Sequence, residues 1–198
     1  MDIVQKVVEL NKNTPMISEY VSSQKPFGLR TYVKPEERGS LILRWNGGRG
    51  KYPSNKVTVG VDLIEKWKVV VSRVFYEHGG KVDKNGQNRV LSILEVLKPK
   101  EICTETYIVI NSFDSHVEAV NLEKYLKAKF VRFLILQASS SIMITRNSFI
   151  FVPLQDFTSS SDIDWSVSIS EIDQQLYAKY GLDENEIAFI ESHVKEMV

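Results

Sequence analysis

The run Lys68-Val69-Val70-Val71-Ser72 decides the fold, because three consecutive valines are typical of a buried strand. Similar short apolar runs occur on both sides of it, and we expect strands there too: Leu41-Ile42-Leu43-Arg44-Trp45, Val57-Thr58-Val59 and Thr106-Tyr107-Ile108-Val109-Ile110. Turn signals separate the runs, namely Asn46-Gly47-Gly48, His78-Gly79-Gly80 and Asn85-Gly86. The segment 27–113 is therefore predicted to form a sheet with long polar loops.

Helices are predicted on both sides of this segment. Residues 2–10 have an approximate apolar stripe with helical spacing. Ser115 and Glu118 have the spacing of a capping box, which begins a helix that we expect to run to about Leu136. A last strand is expected at Phe149-Ile150-Phe151-Val152-Pro153.

The C-terminal tail predicts two more helices. Ser168 and Glu171 begin the first, which ends before Gly181 in the C′ position, and Asp183 caps the second. The expected fold class is α+β, with a twisted, mostly antiparallel or mixed β-sheet packed by a capped helix and followed by a short helical tail. We expect a single domain with three zones: an N-terminal helix and lead-in over 1–23, a sheet-rich recognition core over 24–157, and an acidic helical tail over 158–198.

The net charge of zero conceals an uneven distribution. Residues 24–104 contain 16 Lys and Arg against 8 Asp and Glu, a balance of +8. Residues 154–198 contain 2 Lys against 10 Asp and Glu, a balance of −8. One interpretation is chance clustering on the surface. The other is a basic face for a polyanion, with the acidic tail turned away from it.

Several classes of protein are disfavoured by composition and motifs. The single cysteine, Cys103, cannot form an internal disulfide and is expected to be a small buried apolar residue. Residues 1–6 lack the apolar core of a signal peptide, and the longest apolar stretch, 130–136, is too short to cross a bilayer. We therefore expect a cytoplasmic protein without a membrane segment, and neither a metal site nor a cofactor in this chain.

Catalytic motifs are also missing from the sequence. Amino methyltransferases need an Asp/Asn-Pro-Pro-aromatic tetrad, but none of the six prolines are adjacent. No lysine has an acidic residue two positions before it, as metal-dependent restriction nucleases require, and no G-x-x-x-x-G-K-[ST] phosphate loop occurs. We expect no enzyme activity from the chain alone, although an unrecognised nuclease stays open as a hypothesis.

Two clusters of polar, cationic and aromatic side chains in the basic region are candidates for DNA contacts. Arg and Lys neutralise phosphates, Asn, Gln and Arg read base edges, and aromatic rings stack on bases. The predicted DNA-binding residues are Arg44, Asn46, Arg49, Lys51, Arg73, Tyr76, His78, Lys81, Lys84, Asn85, Gln87 and Arg89. An ordinary solvated loop is the alternative interpretation of the same residues.

Several segments of the C-terminal half resemble one family: Glu105-Thr106-Tyr107-Ile108-Val109-Ile110, Phe113-Asp114-Ser115, Lys129-Phe130-Val131-Arg132-Phe133-Leu134, Phe151-Val152-Pro153-Leu154-Gln155-Asp156-Phe157 and Leu176-Tyr177-Ala178-Lys179-Tyr180-Gly181-Leu182. The resemblance is to the C-terminal region of type II restriction-modification adenine-specific DNA methylases, which is related to the TaqI-like specificity domain. It extends over 27–197, and Phe27-Gly28-Leu29-Arg30-Thr31 matches the usual start of the recognition part.

The resemblance implies a target-recognition domain that grips double-stranded DNA and selects the sequence. The methylase catalytic domain, in cis or in trans, would bind S-adenosylmethionine and receive the flipped target adenine. Because the catalytic half is absent from this sequence, the expectation is an excised domain or a separate specificity subunit. The acidic tail motivates the alternative function, a protein-interaction domain that docks a methylase or nuclease partner.

Overall fold

The three valines Val69, Val70 and Val71 lie on the central strand of the structure and are 0% exposed to solvent. The computed structural model describes residues 3–76, 82–139 and 141–197. Within these ranges the elements are α1 (Ile3–Leu10), β1 (Leu41–Trp45), β2 (Gly48–Tyr52), β3 (Trp67–Ser72), β4 (Leu94–Leu97), β5 (Glu101–Cys103), β6 (Tyr107–Phe113), α2 (His116–Lys127), α3 (Lys129–Ala138), α4 (Ile169–Lys179) and α5 (Glu184–His193). Helices and strands together give the expected α+β fold.

The strands form two three-stranded sheets. The central sheet has the order β4-β3-β6 and is antiparallel, with an irregularity between Val69 and Val70. The outer sheet has the order β2-β1-β5: β1 and β2 form an antiparallel hairpin, while β5 runs parallel to β1. The predicted mixture of antiparallel and mixed pairing is confirmed.

The central sheet lies between the helices and the outer sheet. Val69 and Val71 belong to the core that is shared with all five helices described above. Val70 points to the opposite face and belongs to a second core, with Leu43 of β1 and Ile102 of β5. Because successive side chains of a strand point to opposite faces, the valine run supplies both cores and joins three layers.

The acidic tail is part of the main core. Ile172 and Leu176 of α4 and Ile190 of α5 are 0% exposed and pack in the same cluster as Ile3 and Val7 of α1. A helix with a buried apolar face is stabilised mainly by such packing. The N-terminal and C-terminal helices are therefore not appendages of the sheet region.

The caps of the two tail helices are confirmed. The Ser168 hydroxyl accepts the N–H of Glu171, and the Asp183 carboxylate accepts the N–H groups of Asn185 and Glu186. Gly181 has a φ of 59°, as a glycine in the C′ position requires. Among the described residues, no helix combines the length and the apolar character that a membrane span needs.

The expected helix from Ser115 to Leu136 is two helices, which break at Ala128 with a ψ of 139°. The physical reason lies in α4, where the Asp173 carboxylate accepts the N–H groups of Lys129 and Phe130. This side chain satisfies two donors that a continuous helix would have bonded internally. Ser115 precedes α2 as predicted, but its side chain makes no cap hydrogen bond, so the capping box is wrong.

Two predicted strands are also wrong. Val57 closes a 3₁₀ turn at Ser54–Lys56 and donates its N–H to Ser54, so 57–59 forms no ladder. The segment 149–153 follows a 3₁₀ turn at Arg146–Phe149, and its neighbours bond to the N-terminal lead-in: the N–H of Ile17 donates to the carbonyl of Val152. Val57, Phe149 and Val152 are buried without forming strands, whereas Val59 and Ile150 are exposed.

Candidate nucleic-acid interface

Three strands end and three begin at one end of the two sheets, which we call the loop end. Strands β1, β3 and β5 end there, and β2, β4 and β6 begin there. Contacts between the sheets confirm the alignment: Arg44 Nη2 lies 2.6 Å from Glu95 Oε1 of β4, and the Arg44 guanidinium lies over the ring of Tyr107, the first residue of β6. The hairpin turn after β1 and the 73–93 connection between β3 and β4 therefore leave the sheets from the same end.

Arg44 of the outer sheet contacts two residues of the central sheet, Glu95 and Tyr107. Its side chain is 12% exposed, hydrogen bonds twice more to Glu95 through Nε, and lies 4.8 Å from the centre of the Tyr107 ring. Burial raises the pKa of Glu95, but the hydrogen bonds and charges of Arg44 and Arg49 outweigh burial and lower the pKa below its ordinary value. Arg44 thus holds Glu95 and the two sheets together, and the geometry gives it a structural role.

Arg49 and Lys51 lie on the exposed face of β2. Both are solvent-exposed in the alternating burial pattern of the strand. Arg49 pairs with Glu95 at 2.6 Å and its side chain is 44% exposed, whereas Lys51 lies opposite Ile42, further from the loop end. The face of the hairpin therefore presents two cations, of which Arg49 is nearer the loops.

The hairpin turn exposes Asn46. A Cβ on Gly47 would lie 2.4 Å from the Trp45 ring, so the ring packs directly over the backbone of the turn. Lys34 covers the same ring, with its Nζ 5.6 Å from the ring centre. These contacts fix the turn, and the exposed amide of Asn46 lies at its tip.

Arg73 lies where the chain leaves β3. Its Nη1 donates weakly to the carbonyl of Glu105 at 3.4 Å, while its buried Nε has no hydrogen-bond partner among the described residues. Arg30 pairs with the Glu105 carboxylate at 3.6 Å and its side chain is 54% exposed. Sequence reasoning missed Arg30, although it occurs in the segment that marks the start of the family resemblance.

Three of the predicted contacts, Lys84, Asn85 and Gln87, lie in one turn of the 82–89 loop. The Asp83 carboxylate accepts the N–H groups of Asn85 and Gln87, which lowers the pKa of Asp83. Lys84 and Asn85 are exposed at the top of this turn. The turn therefore presents a cation and an amide side by side.

Tyr76 and Arg89 stack at the base of the same connection. The Arg89 guanidinium carbon lies 4.7 Å from the centre of the Tyr76 ring, and Tyr76 is 48% exposed. His78 and Lys81, which were also predicted as DNA contacts, lie outside the described residues.

The expectation that the acidic tail turns away from the basic loops is wrong where α5 ends. Asn88 forms a parallel bridge with Val194, so its N–H donates to the carbonyl of His193 and its carbonyl accepts the N–H of Lys195. The Gln87 side chain donates to the carbonyl of Glu191. These hydrogen bonds, together with an ion pair between Lys195 and Asp83 at 3.2 Å, bring the tail to the loop.

Arg132 of α3 is hydrogen bonded both to the 82–89 loop and to the segment that follows α5. It is 0% exposed, and its Nη1 donates to the carbonyl of Arg89 at 3.0 Å and to that of Lys195 at 2.6 Å. Its Nε donates to the carbonyl of Lys127, at the end of α2. This buried cation therefore fixes the base of the loop to the helices.

Ion pairs reduce the basic surplus of the region 24–104. Two of its cations pair with carboxylates outside the region, in Arg30–Glu105 and Lys66–Asp114, whereas the acidic partners in Arg44–Glu95, Arg49–Glu95 and Lys56–Glu36 are already counted in the balance. A further cation, Lys68, is buried, and its Nζ donates to three backbone carbonyls. The formal balance of +8 therefore overstates the charge available at the surface.

The exposed groups on the β1–β2 hairpin and on the 82–89 loop are mainly hydrogen-bond donors, on Asn46, Arg49, Lys84 and Asn85. Such groups can contact phosphates and base edges, and they offer no nucleophile or proton-transfer pair. In the part of the chain that the structure describes, no group of three His, Cys, Asp or Glu side chains is placed to hold a metal ion. Comparisons of the chain with protein-family models, with curated proteins and with solved structures find no match.

Proposed function

We propose that this chain recognises double-stranded DNA through the loop end. One observation carries the proposal: two clusters of donors that are separated in the sequence, on the β1–β2 hairpin and on the 82–89 loop, leave the sheets at the same end. Exposed guanidinium, ammonium and amide groups on a sheet-supported surface are suited to phosphate contacts and base readout.

Methylation would belong to a separate methylase domain, in cis or in trans, which binds S-adenosylmethionine. The resemblance of segments 105–134 and 151–192 to the specificity region of adenine methylases supports this part of the proposal. The DNA-binding chain would hold the duplex around the extruded base.

A separate docking role for the acidic tail has less support. Ile172, Leu176 and Ile190 are buried in the main core, so the tail is required for the fold. A truncation after Phe157 would remove core residues together with any docking surface, and it would not separate the two functions.

Binding to duplex DNA can be tested by fluorescence anisotropy over a range of salt concentrations, after selection of preferred sequences from a random duplex pool. Changing Arg49 or Lys84 to Ala should weaken binding by about 1–3 kcal/mol and reduce the salt slope by about one. Asn85→Ala should relax sequence preference if the amide reads a base edge.

The matched control is Lys98→Ala, because Lys98 is exposed directly after β4, at the end of the sheets opposite the loop end. This variant should bind like the wild type. Equal losses for Lys98→Ala and Arg49→Ala would mean that affinity follows net charge and not the loop end, which would contradict the proposal. Absence of duplex binding at low salt would also contradict it.

A further inference from the structure

A polar groove of about 470 Å³ lies beside strand β6, between the segments 22–24 and 145–147. Ile108 forms its apolar floor, and the remaining lining residues carry hydroxyl, amide or guanidinium groups. Arg146 is the one charged residue in this lining. The hydroxyls of Ser22 and Ser23 already donate to the carbonyls of Ser23 and Lys25, so Gln24, Arg146 and Asn147 supply the donors that suit an anion with several acceptor oxygens.

Main-chain contacts build the groove and connect it to the loop end. Ser22 pairs with Val109 at the outer edge of β6: its N–H donates to the carbonyl of Val109, and its hydroxyl accepts the N–H of Val109. On the other wall, the N–H of Ile144 donates to the carbonyl of Arg73 at 2.8 Å. The groove therefore adjoins the predicted DNA contact Arg73.

Arg146 joins the two walls. Its Nε and Nη2 donate to the carbonyl of Val21 at 3.2 and 2.8 Å, which fixes the guanidinium next to the groove. In the described part of the chain, Nη1 of Arg146 and the side-chain amides of Gln24 and Asn147 make no hydrogen bond. The groove therefore offers a guanidinium that is held in place and has one free edge, together with two free amides. No carboxylate in the lining competes with an anion for these donors.

We propose that this groove binds a phosphate of the DNA backbone. The inference rests on the proposed function, and it adds a second contact surface on the β6 side of the loop end. Phosphate contacts fix the register of a protein on the duplex but carry no sequence information, so the groove positions the loop end and does not select the bases.

The test is a salt-dependent anisotropy titration of Arg146→Gln and Asn147→Ala with several duplex sequences. Arg146→Gln should weaken binding about tenfold for every sequence and reduce the salt slope by about one. Arg146→Lys retains the charge and should retain the slope. Lys98→Gln, with an equal loss of charge at the opposite end of the sheets, is the matched control and should bind normally. Unchanged melting temperatures show that the variants are folded.

A second readout does not depend on duplex binding. Inorganic phosphate, titrated into ¹⁵N-labelled wild-type protein, should shift the amide signals of 22–24 and 145–147, and Arg146→Gln should abolish these shifts. If phosphate gives the shifts but the wild type binds no duplex, the groove is an anion site and the proposed function is wrong. If the wild type binds duplex and Arg146→Gln and Asn147→Ala keep its affinity and salt slope, the groove proposal is wrong and the proposed function stands.

Discussion

Arg132 Nη1 lies 3.0 Å from the carbonyl oxygen of Arg89, and this hydrogen bond joins helix α3 to the base of the 82–89 loop. Because Arg132 is fully buried, its removal would leave the carbonyls of Arg89 and Lys195 without this donor. We predict that Arg132→Met lowers the free energy of unfolding by about 2–4 kcal/mol, measured by urea denaturation.

The same variant should accelerate amide hydrogen exchange at Asn88, whose N–H is bonded to the C-terminal segment that Arg132 holds. Lys127→Met is the control, because the contact of the Lys127 side chain among the described residues is an i,i+4 ion pair with Glu123 at 3.5 Å, and we expect it to cost less than about 1 kcal/mol. Equal stability of the two variants would show that Arg132 does not hold the loop.

Glu95 accepts hydrogen bonds from two arginines and is the second position where one substitution should have a large effect. Glu95→Gln would leave the part-buried Arg44 without its counter-charge, and we expect a loss of about 1–3 kcal/mol in the free energy of unfolding at pH 7. Glu101→Gln removes the charge that lies 3.6 Å from Arg49 and keeps an oxygen that can accept the N–H of Lys98, so it is the control with an expected loss below about 1 kcal/mol.

The effect of Glu95→Gln should depend on pH. The pKa of Glu95 in the folded protein lies below its ordinary value of 4.5, so the unfolded chain binds the proton more tightly. The stability that the ionised group contributes is complete above pH 4.5 and is lost as the pH falls through the folded pKa. The difference in the free energy of unfolding between the wild type and Glu95→Gln should therefore decrease as the pH falls below 4.5. A difference that is independent of pH would contradict the prediction.

Asp173 should have the opposite pH dependence. Burial raises its pKa from 3.8 to about 6, although it accepts two N–H groups at the start of α3. Between these values the folded protein binds the proton more tightly, so this contribution to stability is present below pH 3.8 and is lost as the pH rises through about 6.

Asp173→Asn removes the titration, so the stability of the variant relative to the wild type should improve by about 2–3 kcal/mol between pH 3.8 and pH 7. Urea denaturation of both proteins at several pH values measures this difference. A change in the other direction would show that the N–H groups and the nearby Arg132 outweigh burial.

Lys68 is a buried cation whose ammonium donates to the carbonyls of Leu63, Ile64 and Lys98. Burial lowers its pKa from 10.5 to about 8, so the unfolded chain binds the proton more tightly between these values. Stability should therefore rise with pH from 8 to 10.5, and Lys68→Met should lack this rise. Thermal melts of both proteins at matched pH values provide the measurement, and parallel pH curves would contradict the prediction.

The sequence predicted the elements whose signal is local. The valine run gave β3, and the capping patterns at Ser168 and Asp183 gave α4 and α5. Strand β2 was missed because Gly48-Arg49-Gly50 has low strand propensity, and its pairing with β1 makes it a strand. The break at Ala128 was missed because its cause, Asp173, is distant in the sequence.

The candidate site shows the same limit. Asn46, Arg49, Lys84 and Asn85 were predicted and are exposed, the first two on the hairpin and the other two on the 82–89 loop. Arg44 was predicted on equal grounds, but its side chain is 12% exposed and bonded to Glu95, which is 51 residues away in the sequence, whereas Arg49, which pairs with the same carboxylate, is 44% exposed. The groove at 145–147 was missed because its donors come from two segments that only the folded chain brings together.

The packing of α1 against α5 has a consequence for how the chain reaches this structure. Lys6 and Glu186 form an ion pair across 180 residues, and Ile3 and Val7 share a core with Ile190 and Val194. Contacts between such distant segments require a large loop to close before they contribute energy, which slows folding. During synthesis on the ribosome, α1 must therefore wait for α5, and its apolar face is open to chaperones until residues 184–194 have emerged.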